Sequence, residues 1–224
     1  MRPSSPALRR EAIDAAIIDL DGTLVDTLGD FEAAIGRMSV EMGLPAVPRE
    51  FIASSVGWGS EHLVRAVLRQ TGAAPSVFDG AWASFQRCYL AINGAHSRIF
   101  PGVIEALDRF AASGLKLACV TNKPTAFTQP LLAKLSLARY FDIVYGGDAF
   151  ARKKPDPMPL IEACAALDTE PERTLMIGDS AVDAQAARSA GCPLALVRYG
   201  FNHGASMEAL GADQLLDRID ELFV

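Results

Sequence analysis

Two aspartates, Asp19 and Asp21, follow the apolar run Ala15-Ala16-Ile17-Ile18, and Gly22 and Thr23 come directly after them. A short apolar run of this kind reads as a buried strand, and the glycine as a tight turn at its end. Carboxylates two residues apart leave the same face of a strand if both keep strand geometry. Two unit charges about 4 Å apart then repel by roughly 4 kcal/mol at an effective dielectric near 20. A buried strand end holds such a pair where a cation makes use of it, or where one carboxylate is a nucleophile and the other carries a proton. The plain alternative is an Asp-Gly hairpin turn.

Three further groups of residues suit the same chemistry. Leu115 to Val120 reads as a strand ending in Thr121-Asn122-Lys123, and Lys153-Lys154-Pro155-Asp156-Pro157 precedes a helical stretch. Thr174 to Ile177 ends in Gly178-Asp179-Ser180, with Asp183 one helical turn further. Singly, each has an ordinary role as a cap, a first-turn acid or a solvated loop. Together they are mutually explanatory. A carboxylate can attack the phosphorus of a phosphomonoester once the repulsion between the two anions is removed, which a magnesium ion held by carboxylates does. Asp19 and Asp179 are hard oxygen ligands for it, and Asp183 is close enough to assist directly or through water. The Thr121 hydroxyl and strand-end amides can hold phosphoryl oxygens, while Lys154 supplies a point charge for the transferring group. Asp21 is then free to protonate a leaving alkoxide and to deprotonate the water that hydrolyses an aspartyl-phosphate. Gly22 permits the turn that brings the backbone close to the phosphate.

The elements that must position these residues follow from periodicity. After the first strand the pattern is helical for about seventy residues: Gly29 to Gly43, a stretch built on Leu63, Val64, Val67 and Leu68, and Val77 to about Asn93. This block, residues 28–99, reads as a separate small helical domain inserted into a core made of residues 12–27 and 100–224. From Pro101-Gly102 onward helices and strands alternate. Helices are expected at Val103 to Ala112, Ala126 to Leu137, Pro157 to Leu167 and Ala181 to Ala190. Strands are expected at Leu115 to Val120, Tyr140 to Tyr145, Thr174 to Ile177, Leu194 to Val197 and near Gln214, with a final helix after the last. The fold class is α/β, a parallel sheet covered on both faces, with function at the carboxyl ends of its strands.

Composition narrows the classes. The chain of 224 residues is 50% hydrophobic and 21% charged, a globular balance. Its net charge of −6 argues against non-specific nucleic-acid binding and requires that an anionic substrate meet locally concentrated positive charge. Cys88, Cys119, Cys164 and Cys192 are scattered without a CxxC or Cys/His cluster, which points to a reducing cytoplasm. No apolar run approaches the roughly 18 residues of a membrane span. Met1 to Arg10, with Arg2, Arg9 and Arg10, reads as a frayed extension, with an amphipathic transit sequence as the weaker alternative.

Asp19-Leu20-Asp21-Gly22-Thr23-Leu24-Val25, Val120-Thr121-Asn122, Lys154-Pro155 and Gly178-Asp179-Ser180-Ala181-Val182-Asp183 resemble the four motifs of the haloacid dehalogenase superfamily of phosphohydrolases. The resemblance covers almost the whole chain after about Ala12, and implies a Rossmann-like core with an inserted helical cap. Within that superfamily the chain is most similar to bacterial phosphoglycolate phosphatases, through Gly114 to Thr125, Gly146-Gly147-Asp148, Lys153 to Pro157, Ala186 to Pro193 and Tyr199-Gly200-Phe201-Asn202. The resemblance implies magnesium-dependent hydrolysis of 2-phosphoglycolate to glycolate and phosphate. Asp19 is then the nucleophile, Asp21 the acid/base and Lys154 the family lysine. Asp19, the Asp21 backbone carbonyl and Asp179 become the metal ligands, with Asp183 beside them, and Thr121, Asn122 and Gly22 bind phosphate. The stretch Val56 to His62 resembles the cap loop that enters the active site, which makes Trp58, His62 and Arg65 candidates for the leaving group. The expected partner is a small phosphorylated metabolite, with no nucleic acid or membrane, and the protein a monomer or homodimer. Rival readings on the scaffold are a phosphatase of sugar phosphates, N-acetylmuramate 6-phosphate or pyrophosphate, a β-phosphoglucomutase, and a dehalogenase, which has no need of Asp21. From other classes come a phospho-aspartate signalling receiver, disfavoured by the inserted helical block, and a non-catalytic binding protein.

Overall fold

The computed structural model describes residues 8, 10–202 and 206–223, so the expectation for the N-terminal extension falls largely outside the described residues. In chain order, β1 (Ala15–Ile18) and β2 (Val25–Asp26) are followed by four helices: α1 (Leu28–Glu41), α2 (Arg49–Ala53), α3 (Ser60–Gln70) and α4 (Phe78–Ile92). The chain returns through β3 (Arg98–Ile99). It then alternates through α5 (Val103–Ala112), β4 (Lys116–Val120), α6 (Thr125–Lys134), β5 (Ile143–Tyr145), α7 (Met158–Leu167), β6 (Thr174–Gly178), α8 (Ala181–Ala190), β7 (Leu194–Val197) and β8 (Gln214–Leu216).

Six strands make one sheet in the order β5-β4-β1-β6-β7-β8, and every pairing is parallel. β1 lies at the centre, with Ile18 opposite both Cys119 of β4 and Ile177 of β6. Its four side chains are fully buried because the sheet is covered on both faces. The period of two divides them: Ala16 and Ile18 pack with α5 and α6, while Ala15 and Ile17 pack with α7 and α8. Strand order reverses on either side of β1, which opens a crevice at the carboxyl ends of β1, β4 and β6.

Helices α1 to α4 bury their apolar faces in a third cluster of their own, joined from the core by Phe127 of α6 and by Phe201. Two antiparallel pairs, Val25 with Ile99 and Asp26 with Arg98, bring the entry and exit of this block side by side. Asp30 closes it further: fully buried, its carboxylate accepts bonds from the amides of Gly94 (2.6 Å) and His96 (2.7 Å) and from the Ser97 hydroxyl.

The structure corrects several expected bounds. The five-residue α2 was not foreseen. The helix expected to run to Leu137 ends at Lys134, and β5 begins at Ile143 after a 3-10 turn at Ala138–Tyr140. After β8 the chain makes a 3-10 turn, Ile219–Glu221, where a helix was expected. Among the described residues no helix is long and apolar enough to cross a membrane.

Candidate active site

The first strand stops at Ile18, so Asp19 and Asp21 do not share strand geometry, and each carboxylate has a lysine of its own. Asp19 Oδ1 is ion-paired with Lys154 Nζ at 2.9 Å and has no other partner among the described residues. Lys154 Nζ also donates to Asp183 Oδ1 at 2.7 Å. The second Asp183 oxygen accepts from the Ser180 hydroxyl (2.7 Å) and amide (3.2 Å), the capping box that starts α8. Asp179 is held by the Thr23 hydroxyl at 3.1 Å and the Phe201 amide at 2.6 Å.

Ligand oxygens of Asp19, Asp179 and Asp183 all lie within 4.8 Å of one another, and all three residues are buried. Burial pushes the Asp19 carboxyl up to about 7; Lys154 opposes this, and the neighbouring Asp183 and Asp21 charges add to it. Burial, then Asp183 and Asp19, also raise Asp179 well above the usual carboxylate range. Burial works against the Lys154 charge, but the Asp183 and Asp19 carboxylates outweigh it and hold its pKa above the ordinary lysine value. Three buried carboxylates facing one ammonium leave an excess of negative charge. An all-oxygen set of buried carboxylates whose charge a single ammonium does not balance is the chemistry of a hard divalent cation.

Asp21 faces the other way. Its carboxylate accepts from Lys123 Nζ at 3.0 and 3.2 Å and from the Thr27 hydroxyl at 2.7 Å. Lys123 is fully enclosed. Its ammonium donates to the Tyr89 hydroxyl at 2.6 Å and lies 4.4 Å from the Phe31 ring centroid and 4.6 Å from that of Tyr89. Burial depresses its pKa, against the pull of Asp21. Tyr89 and Phe31 belong to α4 and α1, so the inserted helices supply half the environment of a core lysine. Nothing in the sequence marked Lys123 beyond its place at a strand end.

The remaining predicted phosphate ligands are placed unevenly. Thr121 is buried and its Oγ1 accepts from the Lys123 amide at 3.2 Å, leaving the hydroxyl proton free to donate. Asn122 donates both side-chain hydrogens to carbonyls, to Gly57 at 2.9 Å and Lys154 at 2.7 Å, so its backbone amide is the donor left for a phosphoryl oxygen. The Gly22 amide is bonded to Val25 O at 2.9 Å. Gly22 is needed for another reason: φ is +88°, and a β-carbon would lie 2.2 Å from Asp179 Oδ2.

Several of these groups line one small cavity of about 10 Å³. Asp19, Asp21, Thr121, Asn122 and Lys123 line its core side, and Phe31, Val56, Gly57, Gly59, Ser60 and Leu63 the side of the inserted helices. The sequence profile of the haloacid dehalogenase-like hydrolases matches residues 16–197, the span that holds all of them. The chain belongs to this family.

Its relatives agree. The chain is 46% identical over 209 residues to a phosphoglycolate phosphatase (plasmid) of Cupriavidus necator, covering 93% of this chain and 90% of the relative. It is 42% identical over 212 residues to the phosphoglycolate phosphatase of Thiobacillus denitrificans, covering 93% of each. The crystal structure of a predicted phosphoglycolate phosphatase from Haemophilus somnus superimposes with a TM-score of 0.89 at 29% identity, covering 94% of this chain and 96% of that one. Within the haloacid dehalogenase-like hydrolases, this chain is a phosphatase.

The three residues expected to meet the leaving group do not line the carboxylate cavity. Trp58 is 38% exposed and packs near His62, their ring centroids 6.0 Å apart. His62 borders a separate surface cavity with Phe51, Ser55 and Arg69. The Arg65 guanidinium lies 3.4 Å from the Phe78 ring centroid, on the far side of α3. Helical periodicity carries the missing signal. Leu63, Val64 and Val67 define the buried face of α3, and Ser60, three and four residues before the first two, shares it. Glu61, His62 and Arg65 do not.

Proposed function

We propose that this phosphatase hydrolyses 2-phosphoglycolate to glycolate and phosphate, with Asp19 as nucleophile and Asp21 as acid/base. The observation that carries the mechanism is that two carboxylates lining one cavity are each paired with a different lysine. Asp19 lies beside Lys154 and Asp21 beside Lys123, which gives the pair different surroundings and different tasks. The substrate follows the names of the relatives.

In this reading Asp19 attacks phosphorus through a carboxylate oxygen while the ester oxygen departs, giving an aspartyl-phosphate. Lys154 and the Thr121 hydroxyl bind the phosphoryl oxygens as charge builds on them. Asp21, held at both oxygens by Lys123 and at one by Thr27, takes up a proton from solvent and passes it to the leaving alkoxide; the carboxylate so regenerated then takes a proton from the water that attacks the aspartyl-phosphate. Residues 28–99 act as a cap that excludes bulk water during transfer. Asp19, Asp179, the Asp21 backbone carbonyl and, directly or through water, Asp183 would hold a magnesium ion. When bound, it offsets the repulsion between these carboxylates and the phosphate dianion.

The test is phosphate release from 2-phosphoglycolate, N-acetylmuramate 6-phosphate, pyrophosphate and several sugar phosphates with magnesium, with Asp19→Asn as the blank. A kcat/KM for 2-phosphoglycolate about a hundredfold above the others supports the assignment. A higher value for another ester moves the substrate and leaves the mechanism.

A further inference from the structure

Ser60 is 4% exposed, and its hydroxyl has no hydrogen-bond partner among the described residues. It faces the catalytic cavity as the first residue of α3, an 11-residue helix preceded by Gly59. The amides of Ser60 and Glu61 precede the first intrahelical bond, from Leu63 N–H to Gly59 O, and so have no acceptor within the helix. A helix start carries partial positive charge and offers its amides to an anion.

A second observation comes from the core. Lys153, next to the catalytic Lys154, makes no ion pair or hydrogen bond through its side chain among the described residues. Its ammonium lies against the backbone of Gly59, where a β-carbon would come within 2.7 Å. With φ at +95° and no side chain, Gly59 lets the two approach. Lys153 and Ser60 both line a second cavity, which shares Ser60 and Asn122 with the catalytic one and also has Glu61 and Asp148 on its wall. The other cap groups lining the catalytic cavity, Phe31, Val56, Gly57, Gly59 and Leu63, bring no charge or side-chain donor.

We infer that the start of α3, through the Ser60 hydroxyl and the first-turn amides, together with the Lys153 ammonium, forms an anion subsite for the leaving-group end of the substrate. The ester it selects carries a second anionic group a few bonds from the phosphate, a carboxylate as in 2-phosphoglycolate. This rests on the phosphatase reading above and deepens it. The buried hydroxyl finds its acceptor in that anion, and a burial that is otherwise unfavourable becomes selective.

The test compares kcat/KM for 2-phosphoglycolate with that for 2-hydroxyethyl phosphate, the same skeleton without the carboxylate, and for a pentulose 1,5-bisphosphate, in the wild type, Ser60→Ala and Lys153→Met. The expected result is a wild-type preference for 2-phosphoglycolate over the neutral ester that falls about tenfold or more in each variant. A smaller Lys153→Met effect at high salt is expected as well. If the wild type prefers 2-phosphoglycolate and both variants keep the full preference, the subsite is refuted and the proposed function stands. A wild type indifferent to the carboxylate refutes both. A preference for the bisphosphate that falls in both variants keeps the subsite but assigns it a phosphate instead of a carboxylate, and removes 2-phosphoglycolate as the substrate.

Discussion

Replacing Lys123 by methionine tests the pairing on which the acid/base assignment depends. The Nζ to Asp21 Oδ1 distance is 3.0 Å and both side chains are nearly inaccessible. At an effective dielectric near 20, two unit charges at this distance attract by roughly 5 kcal/mol. Lysine desolvation offsets part of that attraction in the wild type. Lys123→Met leaves Asp21 buried with the Thr27 hydroxyl alone, and removing one partner of a buried pair typically costs about 3–5 kcal/mol. The second substitution, Asp21→Asn, removes the stranded charge, so the double variant is expected to recover much of the loss. Urea unfolding of the four proteins of the cycle, in chelator, should give a coupling energy of about 2 kcal/mol or more. Effects that add to within about 0.5 kcal/mol would refute a coupled pair. The same variant has a kinetic signature. If Lys123 positions Asp21 to protonate the leaving group, kcat for an alkyl phosphate falls about a hundredfold. An aryl ester such as p-nitrophenyl phosphate, which leaves without a proton, falls far less. Equal losses on both would mean the lysine is structural only.

Asp19→Asn should abolish turnover while leaving the circular dichroism spectrum unchanged, since it removes one charge from a repelling cluster; near wild-type phosphate release from the folded variant would exclude Asp19 as nucleophile. Chelation should stop the reaction and magnesium restore it. In metal-free protein the Asp19 carboxyl, pushed up to about 7 by burial, holds a proton that the unfolded chain has released above about pH 4. Folding then binds more protons than unfolding, so metal-free stability should fall as pH rises from about 4 to 7, by at most about 4 kcal/mol, and magnesium should restore it. A flat urea midpoint between pH 5 and 8 in chelator would contradict the charge-cluster argument. Gly22→Ala places a methyl group 2.2 Å from Asp179 Oδ2 at a φ of +88°, and should raise the magnesium concentration for half-maximal activity about tenfold or more. An unchanged half-saturation would show that Asp179 does not contribute.

The core was legible because its strands are continuous apolar runs and its chemistry sits at their ends. The expected helices at Val103 to Ala112 and Ala181 to Ala190 match α5 and α8. The five-residue α2 escaped because it is too short for helical periodicity to emerge. Lys123 escaped for a different reason. Its partners Phe31, Tyr89 and Asp21 are far away in sequence, and the aromatic spacing in α4 marks a buried face without saying that one ring would meet an ammonium. Trp58, His62 and Arg65 are candidates because the stretch Val56 to His62 resembles a cap loop that enters the active site. None of the three is among the residues lining the cavity beside Asp19 and Asp21, whereas Ser60, with less evident chemistry, is.

The short β2–β3 ribbon also bears on the order of assembly. Ile18 must find Cys119 across about a hundred residues of intervening chain. Once Val25 has paired with Ile99, the loop that remains to be closed is about thirty residues. Loop entropy grows with the logarithm of length, so this shortening lowers the cost of the central pairing by roughly 1 kcal/mol. The helices between, packed mainly on one another, can reach their contacts early, with Asp30 binding the amides at their exit. A lesion at Asp30 should therefore slow folding of a sheet from which it is remote, and the insertion that interrupts the core in sequence also shortens the search that completes it.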